Sequence, residues 1–501
     1  MRLHFLILLL LIAAAWSEDA GKQADGRYER TTKRYAGQKT LATIIGRATV
    51  SSAGGTELIA GGGLADGRHW SAGQARGALA IPPGAQVRQV RIDRAHGSGS
   101  GSGSPIVVLW KNQLASVDRI LSLPEGLRLV DACTTASDRI ILLVDEAAPS
   151  TAEPTGGDDK RRVPAPTQRA VICLKPDGTL IWSRSIGTAS VPSRLWTDAQ
   201  GRIYADASGL QRIAADGSKS ERVAARASTD RDRWLAVEPD GAHAWYGGDR
   251  NTRLANGGPY RQPFLYRIQL GGAPAAETVF YQPDPKAVGS LESDSRPNDL
   301  CIAPDGRMIM AGWSDGGNTV LYRNPLDHRS EQLPEAAAAL EGSNVNGALS
   351  CGHLVWFNAK QVAIRHASWV SYLPMTFATA KVRGRANTAM INRVTWLGKD
   401  GIAFAGEAAT GLPQTPGAIF TPPTDGSRYG GRTFTIMRGD GSSVLYSSYL
   451  PGWTSVAPVA VPGGAMALGA EADGGDAAAQ RGKGETTKTK GTVILFKVPS
   501  E

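Results

Sequence analysis

Residues 401–452 read GIAFAGEAATGLPQTPGAIFTPPTDGSRYGGRTFTIMRGDGSSVLYSSYLPG. A turn at Lys399-Asp400-Gly401 opens a short apolar run, IAFAGEAA, and FTIMRGDGSSVLYSSYLPG at 434–452 folds back on itself around Asp440-Gly441. Asp-Gly supplies the φ > 0 positions that a tight hairpin turn requires. Short continuous or alternating apolar runs bounded by such turns predict strands. The stretch therefore reads as two hairpins, enough for one four-stranded antiparallel sheet.

The same unit recurs along the chain. Gly55 precedes TELIAGGG, Asp138 opens DRIILLVDE, Gly201 precedes RIYADASG, Gly241 precedes AHAWYGGD and Gly306 precedes RMIMAGWS. Weaker copies follow Gly352 (HLVWFNA), Gly401 and Gly464 (AMALGAEA). Second strand pairs follow most anchors, clearest in AVICLKPDGTLIWSRSIG at 170–187 around Pro176-Asp177-Gly178. The anchors lie 40 to 83 residues apart, and the shorter spacings match one propeller blade of about 40–50 residues. The longer intervals hold inserted loops, GSGSGSGS at 97–104 and APSTAEPTGGDDKRRVPAPTQ at 148–168; a third insertion follows at 471–490.

A lone four-stranded sheet cannot bury both faces, so the copies must stack, and closing them into a ring leaves only short edges. The expected fold is an all-β propeller of seven or eight four-stranded antiparallel blades, a single domain over residues 39–501. Eight anchors favour eight; the weak ones at 352 and 464 keep seven open. After the anchor at 464, GTVILFKV at 491–498 supplies a third strand and the chain ends. An N-terminal segment, residues 18–38 with RYERTTKRY at 27–35, is expected to supply the fourth.

Composition agrees. With 60 Gly and 29 Pro in 501 residues, long helices are excluded, because Gly costs roughly 1 and Pro roughly 3 kcal/mol at interior helical positions. No strict three-residue glycine period points to collagen. Hydrophobic residues at 42% supply a core, and charged residues at 20% are too few for a disordered chain.

The first residues, MRLHFLILLLLIAAAWSEDA, have the pattern of a secretory signal peptide: Arg2, the apolar run 5–15, then small residues. That run is shorter than the roughly 20 residues needed to span a bilayer. Cleavage is expected after Ser17, with Ala15 the alternative, leaving an exported protein, periplasmic, cell-surface or extracellular, without a membrane span and acting as a monomer. The formal charge of +9 includes 40 Arg and 15 Lys with no continuous basic stripe, the longest cluster being Lys160-Arg161-Arg162. Nucleic acid is not an expected partner; a protein or an acidic cell-surface polysaccharide is. Cys133, Cys173, Cys301 and Cys351 form no CxxC pair, which excludes compact zinc sites and thioredoxin-like chemistry. Two disulfides and buried free thiols both remain open.

The stretch 406–422 followed by 434–452 resembles the SBBP-type β-propeller repeat of exported bacterial proteins, whose pattern runs DxxGxxYVTG, FPxTPGAF, FVxKLxxDGxxLxYSTYLGG. NDLCIAPDGRMIMAGWSDGGN at 298–318 resembles the first half of another copy. The resemblance implies a propeller and export. It implies no catalytic residue, since the repeat's landmarks are turn glycines and packing aromatics; seven blades are frequent in that family.

Arg296-Pro297-Asn298-Asp299 is similar to a segment of the senescence-marker and gluconolactonase propellers, where the Asn faces a central metal. A divalent cation such as calcium needs several oxygen ligands from different blades. Asn298, Asp299 and Asp131 are the channel candidates, with Asn346 a further one, while the Gly201 repeat offers Trp196 and Thr197 there. The competing reading is that Asn298 and Asp299 hydrogen-bond the backbone at a strand entry. The strand pair AVICLKPDGTLIWSRS resembles pyrroloquinoline-quinone propellers with Trp182 in the blade-docking place, but neither an adjacent Cys pair nor CxxCH accompanies it. His353 and His366 fit no short metal motif, and HExxH and GxSxG are missing. Arg438-Gly439-Asp440 reads as turn chemistry rather than an adhesion signal. Trp234, Trp245, Trp313, Trp369 and Trp453 read as blade packing rather than a carbohydrate platform. The sequence thus points to a non-catalytic binding protein, with no required cofactor; the alternative is a metal-dependent, lactonase-like hydrolase with its site in the channel.

Overall fold

The computed structural model describes residues 42–92, 103–146, 167–189, 193–225, 233–271, 278–280, 294–314, 323–324, 327–332, 351–358, 363–369, 389–398, 401–408, 415, 418, 431–441, 443–472 and 488–499. Their strands form the seven blades of a β-propeller, each of four antiparallel strands, the first blade carrying a fifth, parallel strand at its edge.

Blades 2 and 3 run in simple meander order, and blade 1 does so apart from an edge strand, Gln86–Gln89, that lies parallel to its fourth strand. Blade 1 is Thr56–Gly63, His69–Ala75, Ser104–Lys111 and Ser116–Ser122; blade 2 is Leu127–Thr134, Ile140–Glu146, Thr167–Leu174 and Leu180–Ala189; blade 3 is Leu195–Thr197, Ile203–Asp206, Leu210–Ile213 and Ser220–Ala224. Blade 4 comprises Arg233–Val237, His243–Arg253, Pro259–Gln269 and Thr278–Phe280, and blade 5 comprises Ser295–Ile302, Met308–Ser314, Cys351–Phe357 and Ala363–Trp369. Blade 6 is Ala389–Trp396, Gly401–Ala408, Gly431–Arg438 and Val444–Leu450. Blade 7 joins the two ends of the chain: Trp453–Val461, Gly464–Ala472 and Thr489–Lys497 are completed by Thr43–Ser51.

The ring closes as an N-terminal strand lies antiparallel on the last one, from Thr43 opposite Lys497 to Ser51 opposite Lys490. Closure by an N-terminal strand is as the sequence implies. The residues that do it are 43–51; the expected segment 18–38 lies outside the described residues. Arg47 clamps the clasp through both oxygens of Glu471 at 2.9 Å, and Thr492 donates its hydroxyl to Glu471 at 2.8 Å.

Seven of the eight anchors resolve into seven blades. Those at 138, 201, 241, 306, 401 and 464 each open the second strand of a blade, and Gly55 opens the innermost strand of blade 1. Gly352 is the exception. It lies inside Cys351–Phe357, the third strand of blade 5, paired with Trp313 and Trp369. The long interval between Gly306 and Gly401 is one blade, interrupted between its second and third strands by the small hairpin Arg323–Asn324 with Asp327–Gln332.

Burial concentrates at the seams between blades, and seven large apolar clusters serve seven seams. Blades 1 and 2, for example, share Trp70, Val107, Leu129, Leu142 and Ile172, and blades 5 and 6 share Ile309, Leu354, Trp356, Ile391 and Phe404. The seam that closes the ring packs Leu58, Ile106 and Val108 of blade 1 against Met466, Leu468 and Val493 of blade 7.

Hairpin turns dock onto the preceding blade. Gly217 adopts φ +73°, and a Cβ there would sit 2.4 Å from the Trp182 ring, so the indole of blade 2 lies on the bare turn of blade 3. Trp356 of blade 5 reaches the turn at 438–441 in blade 6, donating its indole N–H to the Gly439 carbonyl at 2.8 Å. The Arg-Gly-Asp string is therefore a turn element, closed by Arg438 N–H to Ser443 O and Gly441 N–H to Arg438 O, both at 2.9 Å. Trp234, Trp245, Trp313 and Trp453 are all buried; the side chain of Trp369 lies outside the described residues.

Candidate functional site: an arginine-lined central channel

Where the innermost strands turn outward, a cavity of about 690 Å³ opens at the axis. Its wall comes from five blades: Ile59 to Gly63 of blade 1, Asp131 to Thr134 of blade 2, Arg194, Leu195 and Thr197 of blade 3, Arg393 to Gly398 of blade 6 and Ala457 to Gly463 of blade 7. The glycines of blade 1 allow a close approach there, since a Cβ on Gly63 would fall 2.3 Å from Pro462 Cδ.

A repeated backbone irregularity sets the charged residues around this axis. The innermost strands of blades 2, 5 and 6 each carry a register shift, between Leu129 and Asp131, between Pro297 and Asp299, and between Ile391 and Arg393. A β-bulge bends the strand and re-aims the side chains beside it. In these three blades the residue that completes the bulge is charged; blades 1, 4 and 7 carry the same shift with Ala60, Ala236 and Ser455 at that place.

The two carboxylates tie blades together. Asp131 accepts the Leu195 N–H of blade 3 at 2.9 Å. Asp299 accepts the Val394 N–H of blade 6 at 2.9 Å through one oxygen and pairs with Arg194 through the other. Asn298 belongs to the same seam. Its amide donates to the Ile391 carbonyl at 2.9 Å, its Oδ1 accepts from Arg296 at 3.0 Å, and its carbonyl accepts from Arg233 at 2.8 Å. Asp131 lines the cavity, whereas Asn298 and Asp299 do not.

These residues do not fit a divalent cation. Calcium requires several oxygens converging on one point. Here the oxygens that hydrogen-bond do so with backbone N–H groups and guanidiniums from different blades, and Arg194, Arg233, Arg296 and Arg393 surround them. Asn298 and Asp299 lie within the strand Ser295–Ile302 and hydrogen-bond the backbone of blade 6, and the alternative hydrolase finds no support in this arrangement. Asn346 lies outside the described residues. Trp196 and Thr197 sit in the short innermost strand of blade 3, and Thr197 lines the cavity.

The electrostatics are those of crowded cations. Burial pulls the Arg233 guanidinium down to about 10, with Arg296 the strongest neighbouring charge acting the same way. Burial and Arg194 lower Arg393 as well, only partly offset by Asp131 and Asp299. Burial also acts to lower Arg194, but Asp299 and Asp131 outweigh it and hold that group above its ordinary value. Arg393 makes no hydrogen bond or ion pair among the described residues.

Nucleophilic chemistry is not prepared here. Cys133 lines the cavity, but burial and then Asp131 push its thiol well up, so it is protonated at neutral pH and lacks the thiolate that attack requires. Cys133, Cys173 and Cys301 are free; the side chain of Cys351 lies outside the described residues. His353 is buried in blade 5 beside Ser314, 2.9 Å from its hydroxyl. A grouping not apparent from the sequence lies on the turn of blade 4, where Glu238, Asp240 and His243 place ligand atoms within 4.8 Å of one another. Arg267 already occupies Glu238 through both oxygens, at 2.6 and 2.7 Å, so that turn is closed by a guanidinium.

No protein-family model matches the chain, and no curated protein matches it. Solved structures align with it over most of its length, at TM-scores below 0.5. A chain of a mitotic checkpoint complex aligns with TM-score 0.42 and 9% identity, covering 93% of this chain and 97% of that one. A protein of unknown function from Dyadobacter fermentans DSM 18053 aligns with TM-score 0.41 and 10% identity over 92% and 100% of the two chains. The polysaccharide lyase Uly1 aligns with TM-score 0.39 and 9% identity over 91% and 99%. Propellers host many activities, so function rests on the site.

Proposed function

We propose that this protein is an exported, non-catalytic binding propeller that takes its ligand at the axial cavity. One observation carries the reading: the acidic groups at the channel are spent on seams between blades, while a guanidinium is left facing the cavity. Acid–base catalysis needs a proton carrier within reach of substrate, and the cavity wall offers Arg, Thr, Gly, Pro and apolar side chains, the thiol of Cys133 that burial keeps protonated, and one carboxylate already hydrogen-bonded.

The signal-like first 17 residues and the SBBP-like stretch support export. Among the described residues no helix is long and apolar enough to cross a membrane. The threonine of the SBBP-like loop has a structural use here, since Thr415 Oγ1 accepts the Ser447 N–H at 3.0 Å and its own N–H reaches Ser447 O at 3.2 Å. Cell fractionation tests the compartment. The binding role is tested by incubating purified protein with immobilised cell-surface polysaccharides and assaying the eluate for products. Saturable retention with the polymer intact is expected; new reducing ends, released acid or unsaturated sugar would overturn the non-catalytic reading.

A further inference from the structure

The axial cavity joins three independent features. It has the size of a small-molecule site, which typically spans about 300–1,000 Å³. It is walled by two guanidiniums, Arg194 and Arg393, and by the hydroxyl-bearing Thr134, Thr197 and Thr395. Arg194 is satisfied by Asp299, whereas Arg393 makes no hydrogen bond or ion pair among the described residues.

Charge then specifies the ligand. Among the described residues at this site, the four cations Arg194, Arg233, Arg296 and Arg393 face the three anions Asp131, Asp249 and Asp299, and on the cavity wall itself Arg194 and Arg393 face Asp131 alone. Asp131 on the same wall opposes a dianion. A planar fork with free N–H donors suits a planar carboxylate, and threonine hydroxyls suit an adjacent polyol.

We propose that the cavity binds the carboxylate of a monoanionic hydroxy acid, with Arg393 as its main anchor, Arg194 beside it and the threonines receiving ligand hydroxyls. The proposal rests on the binding reading above and narrows it to a ligand class. The same chemistry is offered by a free sugar acid and by a uronate residue of an acidic polysaccharide. An unpaired guanidinium crowded by like charge destabilises the empty protein, and a bound carboxylate removes that cost.

Titration calorimetry of the purified protein at fixed ionic strength is the test, with glucuronate, an oligouronide, glucose and inorganic phosphate as probes. Glucuronate is expected to bind saturably, while glucose and phosphate give no saturable heat. An oligouronide binding about tenfold or more tighter than glucuronate identifies the polymer as the source; equal affinity identifies the free acid. Arg393→Met should weaken carboxylate binding by about tenfold or more, the loss of a charge-assisted hydrogen bond, with the unliganded melting temperature equal to or above wild type. If that variant does not fold, Arg393→Lys carries the test, retaining the charge, losing the fork and weakening binding about fivefold. Arg212→Met, at an exposed pair with Glu221, should bind as wild type.

Lack of saturable binding by either carboxylate, a preference for phosphate, or undiminished binding in the Arg393 variants would overturn the proposal. Polymer retention that survives Arg393→Met would remove the carboxylate site and leave the binding reading standing. Conversion of the bound polymer to products would remove the non-catalytic reading and leave the site.

Discussion

Arg169 shows what a single side chain does at a seam. It is buried in the third strand of blade 2, holds Asp145 through Nε at 2.7 Å and through a terminal nitrogen at 3.1 Å, and donates to the Asp206 carbonyl of blade 3 at 2.7 Å. Removing one partner of a buried pair leaves the other uncompensated. Arg169→Leu should therefore cost about 3 kcal/mol, near the low end of the range for such pairs, because Arg128 still reaches Asp145 at 2.6 Å. Urea unfolding of the variant checks this.

His353 makes a second prediction at the same scale. Burial pushes its imidazole down to about 3 from an ordinary 6.5. The folded protein keeps it neutral while the unfolded chain takes up a proton below pH 6.5. Stability is thus retained above that pH and lost as pH falls towards 3, at about 1.4 kcal/mol per pH unit for this one group. His353→Gln should flatten the acid limb of urea midpoint against pH by one proton, and a slope identical to wild type would contradict the assignment.

At the scale of elements, the closing strand carries the strongest consequence. Thr43–Ser51 supplies the outer edge of blade 7, and Val50 joins the same apolar cluster as Leu58 and Met466. A chain beginning at Ser52 leaves Thr489–Lys497 as a bare edge and weakens the seam between blades 7 and 1. It should melt more than about 10 °C lower, since several kcal/mol are lost and each 1 kcal/mol shifts Tm by a few degrees in large domains, and it should associate through the exposed edge. Scanning calorimetry with light scattering measures both.

Elements also show where sequence patterns mislead. A turn glycine and a strand glycine are the same letter. Gly201, Gly241 and Gly306 adopt positive φ of 73°, 67° and 83° at true turns. Gly352 instead lies in a strand where a Cβ would meet Ile391 Cγ1 at 2.8 Å across the seam with blade 6. It answers to close packing between blades rather than to a hairpin, and reading it as a turn adds an eighth repeat.

For the molecule as a whole, the repeated hairpins and the ring closed by an N-terminal strand were legible, though not the residues that close it, because each hairpin is encoded within a few residues: a turn that needs Gly or Asp-Gly, flanked by apolar runs. The channel was only partly legible. Asp131, Asn298 and Asp299 could be picked out as residues near the axis, but not the cations that define their surroundings. Arg194, Arg233, Arg296 and Arg393 are spread over some 200 residues and four blades, and only Arg296 belongs to a string that the sequence singles out.

What reads as an oxygen-rich string around 296–299 becomes, once closed into a ring, a set of interblade hydrogen bonds beside a guanidinium that Asp131 and Asp299 only partly offset. Turn chemistry and apolar periodicity are local, so they survive in the linear chain and specify a β-propeller. Blade number, the charge of the channel and the freedom of Arg393 depend on which strands become neighbours and where their bulges fall, and those follow from packing between residues far apart in sequence.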